Sequence, residues 1–114
     1  MAKPKIPNPL ARRHLIEREL PADRSLAIAE AYLAEARDFE AVDFLAQAGA
    51  TDRLAELRSG AIAAGDAFLL RAVAQAMEQA PEPDEWRSLA AAAAGEGKDR
   101  YAVEAGRQAE RVED

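Results

Sequence analysis

His14 is the only histidine in the chain, and it stands among Arg12, Arg13 and Glu17. A general base needs an orienting carboxylate and a reacting partner within hydrogen-bond reach, and Glu17 or Arg18, one turn on, supplies only local pairing. His14 is therefore expected to be structural or solvent-exposed. The candidate nucleophiles are Ser25, Ser59, Ser88 and Thr51; none lies in a Gly-x-Ser-x-Gly elbow and none has a histidine nearby in sequence. With no cysteine, disulfides, thiolate zinc sites, iron–sulfur clusters and a cysteine nucleophile are excluded. One histidine likewise excludes a multi-histidine metal site. Glu35 with Asp38, and Glu40 with Asp43, could share a helix face as di-iron sites require. Those sites also need Glu-x-x-His pairs, and no histidine follows these acids. Solvated charged faces are the expected account. Gly95-Glu96-Gly97-Lys98 looks like a phosphate loop but lacks a preceding strand and a following Ser or Thr, so it reads as an interhelical turn. These residues predict no enzyme, no cofactor and no metal.

The elements that would position any site are helices. Alanine fills 29 of 114 positions, while Ile, Val and Thr together fill nine. Alanine is the best helix former and β-branched residues favour strands, so the chain is expected to be all-α. Its length suits one domain, able to bury roughly two-thirds of its unfolded surface without disulfides or metal.

The net charge of −6 is unevenly spread. Residues 1–20 carry five basic groups (Lys3, Lys5, Arg12, Arg13, Arg18) against Glu17 and Glu19, a net +3; residues 21–114 carry ten basic and nineteen acidic groups, a net −9. So acidic a body repels phosphate backbones, which argues against nucleic acid as a partner. The basic segment is expected either to touch an anionic partner or to fold back on the acidic body. No run approaches the roughly 18 apolar residues of a membrane span. Three prolines occupy residues 4–9, where a signal peptide needs its apolar run, so a cytoplasmic location is expected. The excess of Arg over Lys, twelve to three, beside abundant Ala suggests a GC-rich, bacterial genome.

Chain breakers then define seven short helices. Residues 1–8, punctuated by proline, form a flexible basic N-terminal arm, and 9–114 read as a single helical-repeat domain. Asn8-Pro9 is an N-cap followed by proline at the first helical position, opening a helix over 9–20. A second spans 21–36, with Leu26, Ala29, Leu33 and Ala36 as its apolar stripe, widened by Ile28 and Tyr32. Asp38 caps a third over 39–48, with Phe39, Val42, Phe44 and Leu45 apolar and Gly49 as a left-handed cap. A fourth covers 52–64 (Leu54, Leu57, Ala61, Ala64) and ends at Gly65. Asp66 caps a fifth over 67–80 (Leu69, Leu70, Val73, Met77, Ala80). Pro81-Glu82-Pro83-Asp84 interrupts the chain and starts a sixth over 84–94, around Trp86, Leu89, Ala90 and Ala93; the Glu82-Asp84-Glu85 cluster suits its dipole. A seventh covers about 98–112, with Tyr101, Ala102, Ala105, Ala109 and Val112. Joined by short turns, these helices pair best as three antiparallel hairpins following an unpaired first helix.

The hairpins repeat. Arg37-Asp38-Phe39, Gly65-Asp66-Ala67 and Gly97-Lys98-Asp99 align as turns, and Leu26, Leu54 and Trp86 then fall together at spacings of 28 and 32. The third unit reads Trp86-x-x-Leu89-Ala90-x-x-Ala93-x-x-x-Gly97-x-x-x-x-Ala102, and resembles the tetratricopeptide repeat (TPR). The second unit (Leu54, Leu57, Ala61, Gly65, Leu70, Ala74) departs at Arg58, a position usually small. The first (Leu26, Ala29, Leu33, Val42, Ala46) matches least. The resemblance implies a TPR-like right-handed α-solenoid in which Trp86 belongs to the core. Stacking is also expected because no hairpin can bury its apolar stripe alone.

In that family the first helix of each pair lines a concave face. Carried over, the partner-binding positions are Arg24, Ala27, Ala31, Glu35, Asp52, Ala55, Ser59, Ile62, Arg87 and Ala91. The implied function is a non-enzymatic adaptor that binds another protein, as a peptide or amphipathic helix, in a shallow alanine-lined groove. The lysine and asparagine pairs with which some members clamp a terminal carboxylate are missing. The chain's own first helix is a further candidate occupant. The alternative is a self-associating bundle serving as a structural subunit, a possible homo-oligomer, with the Ala102-Ala105-Ala109 stripe facing a second copy.

Overall fold

The computed structural model describes residues 6–17, 20–95 and 99–113, and among these it contains seven helices and no strand. They are α1 (Pro9–Glu17), α2 (Ala22–Ala34), α3 (Asp38–Ala48), α4 (Thr51–Ala64), α5 (Ala67–Met77), α6 (Pro83–Gly95) and α7 (Asp99–Glu113). The all-α expectation holds. Lys3, Lys5, Arg18 and residues 96–98 lie outside the described residues. No helix among those described is long and apolar enough to cross a membrane.

The helix starts follow local chemistry. Asn8 Oδ1 accepts the Ala11 N–H at 2.8 Å with Pro9 at the first helical position. Asp66 Oδ1 accepts the Leu69 N–H at 3.0 Å. At α6, Glu85 Oε1 accepts the Glu82 N–H at 2.9 Å, the returning half of a capping box, with Pro83 between them. Asp38 does not cap α3 as expected. It is the first helical residue, Arg37 is the N-cap without a side-chain bond, and Asp38 with Glu40 instead places negative charge in the first turn.

Four successive helices stop in one way. A residue in the left-handed region closes each, and the next residue donates its N–H to the carbonyl five positions back. These pairs are Arg37 to Tyr32 (2.9 Å), Ala50 to Leu45 (3.0 Å), Asp66 to Ala61 (2.8 Å) and Gln79 to Ala74 (3.0 Å). The left-handed residues are Ala36 (φ 58°), Gly49 (66°), Gly65 (71°) and Glu78 (56°). Two of the four are not glycine, which explains why α2 and α5 end earlier than the expected 36 and 80: a glycine search misses Ala36 and Glu78.

Contacts gather the chain into two compact units, 1–54 and 55–114, dividing within α4, where the sequence reads one domain over 9–114. In the first unit α2 packs on α3, and α1 also touches α3. Its core is Ile28, Ala29, Tyr32, Ala41, Val42, Phe44, Leu45 and Leu54. The buried stripe of α2 is therefore rotated from the expected one. Ser25 is wholly buried beside Ile28, Ala29 and Tyr32, with its hydroxyl donating to Gln47 Oε1 at 3.3 Å, whereas Leu26 is 37% exposed. Phe39, expected in the core, is 49% exposed.

In the second unit α6 packs on α7. Ala61, Leu69, Leu70, Val73, Ala74, Trp86, Leu89, Ala93, Ala105 and Ala109 are buried there. Trp86 is in the core as expected, with the Arg71 guanidinium carbon 5.5 Å from its ring centroid. The turn at Gly65 lies against α6 so closely that an added Cβ would stand 2.7 Å from the Ala93 Cα and backbone nitrogen.

Backbone geometry generates the first prediction. Gly65→Ala combines left-handed strain with a backbone clash and should cost more than about 2 kcal/mol, against about 1 kcal/mol for Gly49→Ala, whose Cβ meets nothing. Ala36→Gly and Glu78→Gly should each stabilise by about 0.5 kcal/mol, since relief of strain exceeds the entropy of the added glycine. Urea denaturation of the four variants checks the ordering; equal losses for the two glycine variants would refute it.

Candidate functional site

Two arginines organise the polar structure. In the first unit Arg12, on α1, crosses to α3. Its Nη2 donates to the Glu40 carbonyl at 2.9 Å and to Asp43 Oδ2 at 3.1 Å. Its guanidinium carbon stands 5.8 Å from the Tyr32 ring centroid and 5.5 Å from that of Phe44. The two rings stack with centroids 5.8 Å apart. Arg37 covers Tyr32 as well, at 5.0 Å, and grips Glu40 through both carboxylate oxygens. That grip holds the Glu40 carboxyl below its ordinary range and raises Arg37. Arg12 Nε and the Tyr32 hydroxyl are buried without a hydrogen-bond partner, each at a cost of about 1–3 kcal/mol. A pocket of about 230 Å³ lies here, lined by Pro7, Pro9, Arg12, Tyr32, Arg37, Phe39, Glu40 and Asp43.

Gln47 completes the attachment of α1. It accepts from Ser25 and donates Nε2–H to the Ile16 carbonyl at 2.6 Å. Of the basic groups in residues 1–20, Arg12 pairs with Asp43 of the acidic body, while Arg13 pairs with Glu17 on its own helix. α1 itself buries no residue fully. Its hydrogen bonds go to α3, and Arg12 also stands over Tyr32 of α2.

In the second unit Arg58 plays the corresponding part. Its Nε and Nη2 bind both oxygens of Glu85, at 2.7 and 2.8 Å, while Nη1 donates to the Gln79 carbonyl at 2.9 Å and Nη2 to the Ala80 carbonyl at 3.4 Å. Its side chain is 11% exposed. One guanidinium therefore ties α4 to the chain leaving α5 and to the start of α6, beside a cleft of about 460 Å³ lined by Arg58, Gln79, Ala80, Glu82 and Glu85. The small residue expected at this position from the resemblance could not reach Glu85. The arginine, with the Glu82 N–H, holds the Glu85 carboxyl below its ordinary range against the opposing effect of burial. The Glu82-Asp84-Glu85 cluster is thereby engaged within the chain, Asp84 pairing with Arg87 at 2.8 Å.

The structure leaves His14, Ser59 and Ser88 exposed on three separate helices and buries Ser25. Glu40 and Asp43 face separate arginines rather than a shared metal. Among the described residues no three His, Cys, Asp or Glu side chains gather to hold an ion.

None of the ten sequence-derived partner positions is buried. Arg24, Ala27 and Ala31 form one stripe on α2, with Glu35 just past its end. Asp52, Ala55, Ser59 and Ile62 lie on α4, and Arg87 and Ala91 on α6. In the first unit Asp52 also lines a pocket of about 350 Å³ with Leu26, Glu30 and Arg53, and Arg53 Nε reaches Glu30 at 2.8 Å. Sequence reasoning missed Arg12, Tyr32 and Gln47 as a cluster. The partners of Arg12 stand 20–32 residues away and those of Gln47 22 and 31, beyond any local spacing rule. The Ala102-Ala105-Ala109 stripe does not await a second copy, because Ala105 and Ala109 are buried.

What the fold and these clusters define is an all-helical chain held by arginine clamps. Compared with known proteins, it matches no family model, no curated sequence and no solved structure.

The Arg58 cluster generates a pH prediction. The folded-state pKa of Glu85 lies below the unfolded one, so the pair's stabilisation is complete above about pH 4.3 and lost as pH falls through the folded value. Arg58→Met should cost about 2 kcal/mol at pH 7 and flatten this acid limb. Urea denaturation between pH 3 and 7 checks it; parallel pH profiles for the two chains would contradict it.

Proposed function

We propose that the chain is a non-enzymatic adaptor, TPR-like in its helix pairing, that binds a peptide or amphipathic helix of another protein on shallow alanine-lined faces of α2, α4 and α6. The observation that carries this reading is the division of each helix. Ser25, Ile28, Ala29 and Tyr32 are buried on α2, Leu54 and Ala61 on α4, and Trp86, Leu89 and Ala93 on α6. The ten positions remain partly or fully exposed on other faces of the same helices. Small exposed side chains let a partner backbone approach closely, while Arg24, Asp52 and Arg87 supply charge at the edge. The first compact unit carries Arg24, Ala27, Ala31, Glu35 and Asp52, and the second carries Ala55, Ser59, Ile62, Arg87 and Ala91.

Self-association as a structural subunit is the second reading. It is favoured by Leu10, 68% exposed, and Val103, 57% exposed, large apolar side chains left at the surface.

The two readings separate by experiment. Ala55→Glu with Ala91→Glu, both at exposed sites, should abolish capture of the native partner in an affinity pull-down while leaving the circular dichroism spectrum unchanged. Undiminished capture by this variant would sink the adaptor reading. Light scattering that shows a strict monomer at high micromolar concentration would sink self-association.

A further inference from the structure

We propose that the slot holding Arg12 is a recognition site for an arginine side chain on a partner's amphipathic helix, and that α1 occupies this slot in cis. It uses none of the ten positions assigned above and stands independently of them.

The slot is built for a planar cation. The stacked Tyr32 and Phe44 rings offer their π-electron density to the guanidinium carbon at 5.8 and 5.5 Å. The Glu40 carbonyl and the Asp43 carboxylate accept from its nitrogen at 2.9 and 3.1 Å. A lysine ammonium lacks the flat face that a guanidinium presents to the two rings. All four parts of the slot come from α2 and α3, and α1 supplies only the group that fills it.

Occupation by α1 is replaceable. No residue of the helix is fully buried, Ala11, Arg12, Leu15 and Ile16 being half-buried, and the polar bonds that tie it to α3 involve Arg12 and the Ile16 carbonyl. The internal ligand also fits imperfectly, since it leaves Arg12 Nε and the Tyr32 hydroxyl buried and unpaired. An incoming helix that satisfies either donor gains over α1. The three acids of α3 (Asp38, Glu40, Asp43) favour a basic occupant. In this reading α1 is an autoinhibitory element, and an arginine-bearing helix that displaces it releases residues 9–17 from α3.

The test uses the full chain and a capped synthetic peptide copying residues 8–17. The Arg12→Ala chain should bind this peptide at least tenfold more tightly than the unsubstituted chain does, because the internal competitor has lost its key group. A peptide carrying Arg12→Ala should bind at least tenfold more weakly, and Asp43→Asn in the receptor should reproduce that loss. In the unsubstituted chain, excess peptide should speed amide hydrogen exchange across residues 9–17. Equal binding of the two peptides, or no binding to an Arg12→Ala chain of native helix content, would overturn the proposal. Should the Arg12→Ala chain not fold, unchanged exchange over residues 9–17 in the unsubstituted chain overturns it alone.

Discussion

A guanidinium that spans segments is the interaction on which this fold leans most heavily. The reason lies in what alanine can and cannot do. Among the described residues, eight of the nineteen buried apolar side chains are alanine. Each brings one methyl group, worth about 0.8 kcal/mol when buried, against two to three times that for a leucine. Alanines let helix axes approach but supply little cohesion across gaps between elements. Arg12 and Arg58 bridge such gaps with long aliphatic stems and several donors each. Where α1 buries no residue fully, Arg12 reaches into the aromatic pair. Where the chain leaves α5 through the Pro81–Pro83 segment, Arg58 collects its carbonyls and the first-turn glutamate of α6.

The left-handed closures are the complementary device. Each cuts an alanine-rich segment, which would otherwise extend, into a helix of 11–14 residues, and the next helix begins after two or three residues in three cases and five in the fourth. Short helices keep most of the large apolar residues on one side, with Leu26, Phe39 and Phe68 as exceptions. That leaves the alanines and edge charges of α2, α4 and α6 available on others. The same smoothness that weakens the core thus makes the exposed faces accessible to another backbone, and the proposed function and the fold share one cause.

Much of the local structure was legible in the sequence. Asn8-Pro9, Gly49, Gly65, Asp66 and Pro83 mark helix ends because their chemistry acts within four residues. The classes of site excluded by zero cysteine and one histidine were equally plain. Three things were not legible. Ala36 and Glu78 adopt positive φ against their own preference, so no residue type announces those stops. The α2 stripe takes in Ser25, whose hydroxyl meets Gln47, 22 positions away. The arginine clusters depend on acceptors 19–31 residues distant, several of them backbone carbonyls that carry no sequence signature. Arg58 stood out only as a misfit to the repeat, and Arg12 only as one charge among five. The candidate partner surface was readable as helix positions, and the aromatic slot on α2 and α3 was not.

Whether the arginine clamps carry the stability assigned to them is decided most directly by a double-mutant cycle. Arg58→Met, Glu85→Gln and the combined variant, compared with the unsubstituted chain by urea denaturation at pH 7, isolate the coupling between the two side chains. A pair that is only 11% and 26% exposed, with bidentate geometry, should show a coupling of about 2 kcal/mol. Exposed ion pairs give about 0.2–1 kcal/mol, and a value in that range would contradict the account.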